Sequence, residues 1–204
     1  MNLRRLSVGL LAFALTALTA PAFAADYVID AAHTDVGFKV RHMGVSWVRG
    51  AFDKVEGTVS WDPATPDKAL VQVTIDAASV NTRNEGRDKH LRNPDFFDVE
   101  KYPTITFVGT EVKDFKGDSL TLVGELTMHG VTKPIEMKVT DLSEDLDTGK
   151  GVKRGATAEL VINRQDWGIA FNSMLGVGEA AVGDEVHIEI QVELNRVEPE
   201  AKTA

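Results

Sequence analysis

Apolar and polar residues alternate with a period of two along most of this chain. Val36, Phe38 and Val40 alternate with Gly37, Lys39 and Arg41, and Val55, Gly57, Val59 and Trp61 alternate with Glu56, Thr58 and Ser60. Val71, Val73 and Ile75 form a third row, Leu120, Leu122, Gly124, Leu126 and Met128 a fourth, and Ile135, Met137 and Val139 a fifth. The longest row is Val186, Ile188, Ile190, Val192 and Leu194, set against His187, Glu189, Gln191, Glu193 and Asn195. Each row predicts a strand with one dry and one wet face, which suits antiparallel sheets better than buried parallel ones. Turn signals at Asp62-Pro63, Lys116-Gly117-Asp118, His129-Gly130 and Thr148-Gly149 separate the rows. About eight strands result, and an all-β up-and-down barrel or sandwich follows. A barrel of that size can enclose one small ligand. Gly37, Gly57, Gly109 and Gly124 interrupt or flank the rows; they mark either barrel curvature or a close approach by a ligand.

One segment breaks the alternation. Asn84 to Asn93 is polar and lacks a β-branched run, Phe96 and Phe97 follow, and after Tyr102-Pro103 the run Thr104–Phe107 reads as strand again. A short helix is expected near residues 84–98, delivering polar groups and an aromatic pair to one end of the β-structure. Neighbours on a helix cannot face the same way, so one phenylalanine is expected in the core and the other in the cavity.

The first residues carry a different signal. Arg4 and Arg5 precede an apolar run from Leu6 to Leu18, and Ala22-Phe23-Ala24 is an A-x-A cleavage site. Residues 1–24 are therefore read as a bacterial secretory leader and excluded from the fold. The expected destination is the periplasm, and the remaining domain spans 25–204. Its size is sufficient for one domain with its own core. The formal charge of the chain is −9, and loss of the two leader arginines makes it more negative still. Such a surface repels nucleic acid and anionic membranes. The absence of cysteine excludes thiol catalysis, cysteine-ligated zinc and a lipoprotein anchor. His33 and His42 are nine apart, on opposite faces of a regular strand, and make a poor metal pair.

Two motifs are discarded on context. Gly117-Asp118-Ser119-Leu120 spells a hydrolase signature, but it lies in a turn between strands with no helix after it. Gly176, Gly178 and Ala181 mimic a dinucleotide fingerprint, but they follow a loop and precede a strand. Neither a catalytic residue nor a cofactor or metal site is assigned.

Four segments together resemble the YceI-like, polyisoprenoid-binding protein family: Asp26 to Pro63, Val73 to Phe107, Leu120 to Ile135 and Val161 to Ile169, followed by the last strand from Asp184. The resemblance spans the domain in order. It implies a lipocalin-like antiparallel β-barrel with an elongated apolar tunnel. It also implies a long isoprenoid ligand, such as a polyprenyl phosphate or quinone, and a homodimer as the common state of the family. The loop from Ala170 to Gly183 and the charged stretch from Asp141 to Lys153 depart from the pattern, so chain length and head-group preference do not carry over.

The residues themselves suit such a ligand. Candidate tail-lining positions are Phe38, Met43, Trp47, Phe96, Phe97, Phe107, Met128, Trp167, Phe171 and Met174. They combine aromatic area with adaptable thioethers, although each could equally serve as ordinary core. Candidate head-group ligands are Arg87, Asp88 and His90, with Asn163, Arg164 and Asp166. Arginine forks fit phosphate, and imidazole can donate to a quinone carbonyl. The alternative is that Arg87–Asp88 and Arg164–Asp166 are ion pairs tying loops to the barrel. The expected function is a carrier of isoprenoid lipid that is not an enzyme and makes transient contact with a membrane or membrane protein. Two other classes remain open: a stress or interaction protein binding fatty acids or amides, and an isoprenoid-modifying enzyme using His90 with Asp88.

Overall fold

The computed structural model describes residues 24–172 and 181–198. Residues 1–23 of the proposed leader and Met174 therefore lie outside the described residues, as does most of the Ala170 to Gly183 loop. The strands are β1 (Ala25–Ile29), β2 (Asp35–His42), β3 (Ser46–Phe52), β4 (Val55–Trp61), β5 (Leu70–Asp76) and β6 (Val80–Asn81). After helix α1 (Glu85–Arg92) come β7 (Thr104–Lys113), β8 (Leu120–Met128), β9 (Val131–Thr140), β10 (Leu146–Asp147), β11 (Val152–Asn163) and β12 (Val182–Arg196).

Every pairing is antiparallel, and the order β11-β9-β8-β7-β5-β4-β1-β12 closes because β12 returns to β11. The product is a closed eight-stranded barrel. The extra strands arise because the barrel wall is broken by bends. The 3-10 turn Ala31–His33 separates β1 from β2, and both pair with the long β12: β1 near Leu194, β2 from Val186 to Gln191. The Asp30 side chain starts that turn by accepting the Ala32 amide, which moves His33 out of the strand altogether. Likewise β3 runs into β4 through a bend at Asp53-Lys54, so β3 leaves β5 and pairs instead with β6.

The gap opened by β3 is filled by α1 and the residues after it. Asn84 caps the helix by accepting the Arg87 amide, and the helix stops at Asn93-Pro94, where proline cannot continue it. Phe96 and Phe97 thus lie beyond the helix. Freed from helical spacing, both reach the cavity, and Phe97 meets Phe52 edge-on at 5.5 Å between ring centres. The expectation that the two would diverge is corrected by this early stop.

The turns follow their residues. His129 and Gly130 both have positive φ and form the two-residue connection between β8 and β9 that matches strand twist. The charged stretch Asp141 to Lys153 holds β10, which pairs with the start of β11.

A barrel-long apolar cavity as candidate functional site

The inward rows of the strands enclose one cavity of about 300 Å³. Its wall includes Val71, Val73 and Ile75 of β5, Leu120, Leu122 and Leu126 of β8, and Val186, Ile188, Ile190, Val192 and Leu194 of β12. These are the predicted alternating rows, now facing one another. Two hydrophobic clusters mark its ends. Phe96, Ile105, Phe107, Met128, Trp167 and Ile169 gather at the α1 end, and Tyr27, Trp61, Leu120, Val139 and Leu194 at the other. Ala158 and Leu122 touch both clusters and form the waist.

Strand β11 runs the length of the cavity, with Ala156, Ala158, Leu160 and Ile162 turned inward. A buried arginine stands at each end of that row: Arg154, 7% exposed, and Arg164, 4% exposed. They are the charged members of an otherwise apolar wall. At ~3.3 Å per residue, ten residues of strand separate them by roughly 30 Å.

The two ends differ in how the guanidinium is satisfied. Arg164 Nε donates to Gly183 O at 2.9 Å, Nη1 to Ile169 O at 2.5 Å, and Nη2 to Asp184 Oδ1 at 3.1 Å and Val182 O at 3.3 Å. Burial pulls its pKa down, and Asp184 opposes that pull. At the opposite end Asp145 Oδ1 lies 3.2 Å from Arg154 Nε, an ion pair whose angle leaves Nε without a hydrogen bond. Arg154 Nη1 and Trp61 Nε1 are buried and have no hydrogen-bond partner among the described residues. Tyr27 donates its hydroxyl to Asp145 at 2.8 Å, and its pKa is pushed up to about 12, first by burial and then by that hydrogen bond.

Comparison with known proteins places this barrel. The family model for the YceI-like domain matches residues 27–194. The chain belongs to the YceI-like family. A UPF0312 protein of Pseudomonas putida is 37% identical over 174 residues, covering 84% of this chain and 87% of that protein. The YceI protein of Campylobacter jejuni superposes with a TM-score of 0.66 at 33% identity, covering 83% of this chain and 96% of that one. A polyisoprenoid binding domain from Saccharophagus degradans, implicated in plant cell wall breakdown, shares the fold with a TM-score of 0.61 at 18% identity, covering 85% and 99% of the two chains.

In this YceI-like barrel the expected tail-lining residues divide. Phe38, Phe96, Phe97, Phe107 and Met128 line the cavity. Trp167 is buried beside it and donates its indole N–H to Leu126 O at 3.1 Å. Phe171 packs on Phe96 and His90, each at 5.0 Å between ring centres. Trp47 is off the wall, because its ring lies under Arg41 at 4.3 Å and against His187 at 5.0 Å. Met43, at positive φ in the β2–β3 turn, is exposed.

Of the expected head-group residues, only Arg164 lines the cavity. The others form internal bonds that hold the loops. Arg87 donates to the Thr82 hydroxyl at 2.7 Å and to Thr82 O at 2.8 Å, and Asp88 is buried accepting the Thr82 amide and hydroxyl. His90 Nε2 is 2.9 Å from Asp95, Asn163 accepts the Gln165 amide at 3.0 Å, and Asp166 is 3.5 Å from Lys133. The Arg87–Asp88 and Arg164–Asp166 pairings do not occur; the arginines bind Thr82 and Asp184 instead.

The residues that sequence reasoning overlooked are Tyr27, Trp61 and Arg154. A signal was present for the last: Arg154 is in phase with Ala156, Ala158, Leu160 and Ile162. The charges around it, together with the small residues of the row, masked the alternation. By distance, Asp30, His33 and Glu193 could gather round a cation. Lys153 Nζ already fills that role, at 2.9 Å from Asp30 and 2.5 Å from Glu193.

Proposed function

We propose that this YceI-like protein is a periplasmic carrier that holds the chain of a long isoprenoid lipid inside its barrel. The carrying observation is the apolar cavity of about 300 Å³ inside the barrel, lined by apolar rows from nearly every strand and long enough to span β11. A branched, extended hydrocarbon suits a narrow apolar tube, gaining roughly 25 cal/mol per Å² of surface removed from water. Export follows from the leader-like residues 1–24, and a dimer from the family resemblance. No activated nucleophile is assembled among the described residues of the wall, which favours binding over turnover.

The test is native mass spectrometry, with organic extraction, of protein purified from the periplasm without detergent. A co-purifying polyprenyl or quinone mass, stoichiometric with the protein, is the expected result. A barrel holding only straight-chain acids or amides would overturn isoprenoid specificity and leave a general amphiphile binder.

A further inference from the structure

The β2–β3 hairpin carries an apolar tip and a cationic flank on a chain whose formal charge is −9. The tip is the turn Met43-Gly44-Val45, within an exposed run from Arg41 to Ser46. Val45 is 82% exposed, more than any other large apolar residue among those described. Met43 and Gly44 both have positive φ, and at the first of them a small polar residue such as Asn would suit the turn better than methionine. Two apolar side chains thus stand in water where the fold gains nothing from them. Behind the tip, Arg41 is paired across the strands with Trp47, and Lys39 with Arg49. Like charges directly opposite one another weaken a strand pair. Arg41 and Lys39 lie over the Trp47 ring at 4.3 Å and 5.4 Å, and His187 of β12 meets that ring at 5.0 Å. Among the described residues, none of Lys39, Arg41 and Arg49 forms an ion pair; Glu185 and Glu189 flank His187 on β12 without reaching them.

We propose that this hairpin docks the barrel on an anionic phospholipid surface, with Met43 and Val45 entering the acyl boundary and Trp47, Lys39, Arg41 and Arg49 lying among the head groups. An apolar tip, then an amphipathic ring, then cations is the order in which a bilayer presents its own layers from inside outward. Arg49 is four strand residues from Val45, about 13 Å, so a tip buried by about 5–10 Å leaves the guanidinium level with the phosphates. Guanidinium groups hold phosphate oxygens in pairs, and each cation near such a surface adds about fivefold to binding. The acidic remainder of the protein is repelled by the same surface, which orients the approach so that the hairpin leads. A second copy of the chain fits this face less well, because a two-fold contact would set the cationic flank against itself. The tip stands at the α1 end of the barrel. Met43 N–H donates to Ala181 O at 2.9 Å, and Val40 and Val182 line the cavity close by. Docking therefore brings the Phe96–Phe97 end of the cavity toward the bilayer, whatever the barrel holds.

The experiment is co-sedimentation of the purified protein with vesicles of phosphatidylethanolamine and phosphatidylglycerol, set against vesicles of phosphatidylcholine alone, at low and high salt. Binding should require phosphatidylglycerol and fall steeply with salt. Val45→Asp should weaken it about tenfold or more, through lost apolar burial and added negative charge, and Arg49→Gln about fivefold. Both side chains are exposed, so circular dichroism should match wild type. Brominated phosphatidylglycerol should quench tryptophan fluorescence in wild type, and Trp47→Phe should abolish that quenching, since Trp61 and Trp167 are buried. Equal sedimentation with both vesicle types, or undiminished binding by Val45→Asp, overturns the proposal. A Val45-dependent dimer in analytical ultracentrifugation, with no vesicle binding, also overturns it and assigns the tip to a second copy. The readout is the surface and not the cavity, so either failure leaves the carrier reading to its own test.

Discussion

Gly124 on β8 lies directly beneath the ring of Phe107 on β7. A Cβ at position 124 would stand 2.4 Å from Phe107 Cζ and 2.4 Å from the Val108 carbonyl oxygen. The glycine is thus what lets a phenylalanine lie flat along the cavity wall. Gly50 does the same for Phe38, whose Cζ would be 2.5 Å from an added Cβ. Gly57 makes room instead for the Gln72 carbonyl, at 2.4 Å. In these three strand positions a glycine marks an approach by the protein's own atoms.

Gly124→Ala is expected to destabilise the barrel by about 2 kcal/mol, because a backbone carbonyl cannot yield and Phe107 must swing into the cavity. A shift of the urea midpoint at unchanged slope measures the loss, and an unshifted midpoint would show that β7 and β8 can separate without cost.

Arg164→Met is expected to cost about 3 kcal/mol through the donors it removes from Ile169, Gly183 and Asp184. Arg164→Lys should recover little of this, since an ammonium cannot bridge partners set out for a planar fork. Chemical denaturation of both variants distinguishes a geometric requirement from a simple need for charge.

Ala158→Phe places a ring at the waist of the cavity, where Ala158 touches both hydrophobic clusters. Far-UV circular dichroism should be unchanged, while affinity for an isoprenoid chain falls about tenfold or more. Full retention of lipid in this variant would mean that the chain does not pass the middle of the barrel.

The Asp30–Lys153–Glu193 cluster predicts the shape of the stability profile. Hydrogen bonds from Lys153 and then His33 hold the Asp30 carboxyl well below the usual range. Its contribution is therefore present above about pH 4, the unfolded value, and is lost as pH falls through the folded value. Hydrogen bonds to Glu193 and Asp30 raise Lys153, whose contribution is present below about pH 10.4 and lost as pH rises through its folded value. In Lys153→Met, urea midpoints should fall less steeply at both extremes. Salt should reduce the difference only in part, because Lys153 and Glu193 are partly exposed while Asp30 is largely covered.

Much of this protein is determined by the alternation of its residues. A strand has only two faces, so a row such as Val186 to Leu194 defines its inner side without knowledge of its partners. The all-β class, the His129-Gly130 turn and the helix behind Asn84 follow from equally local rules. What local rules do not contain is which polar groups satisfy one another. Arg87, Asp88 and His90 are conspicuous in the sequence, yet their bonds are spent on Thr82 and Asp95. Arg154 is inconspicuous among charged neighbours, yet closure of β11 on β12 turns it inward and leaves its Nη1 unmet. Hydrogen-bond satisfaction depends on strands brought together from distant parts of the chain, and only the closed barrel decides it.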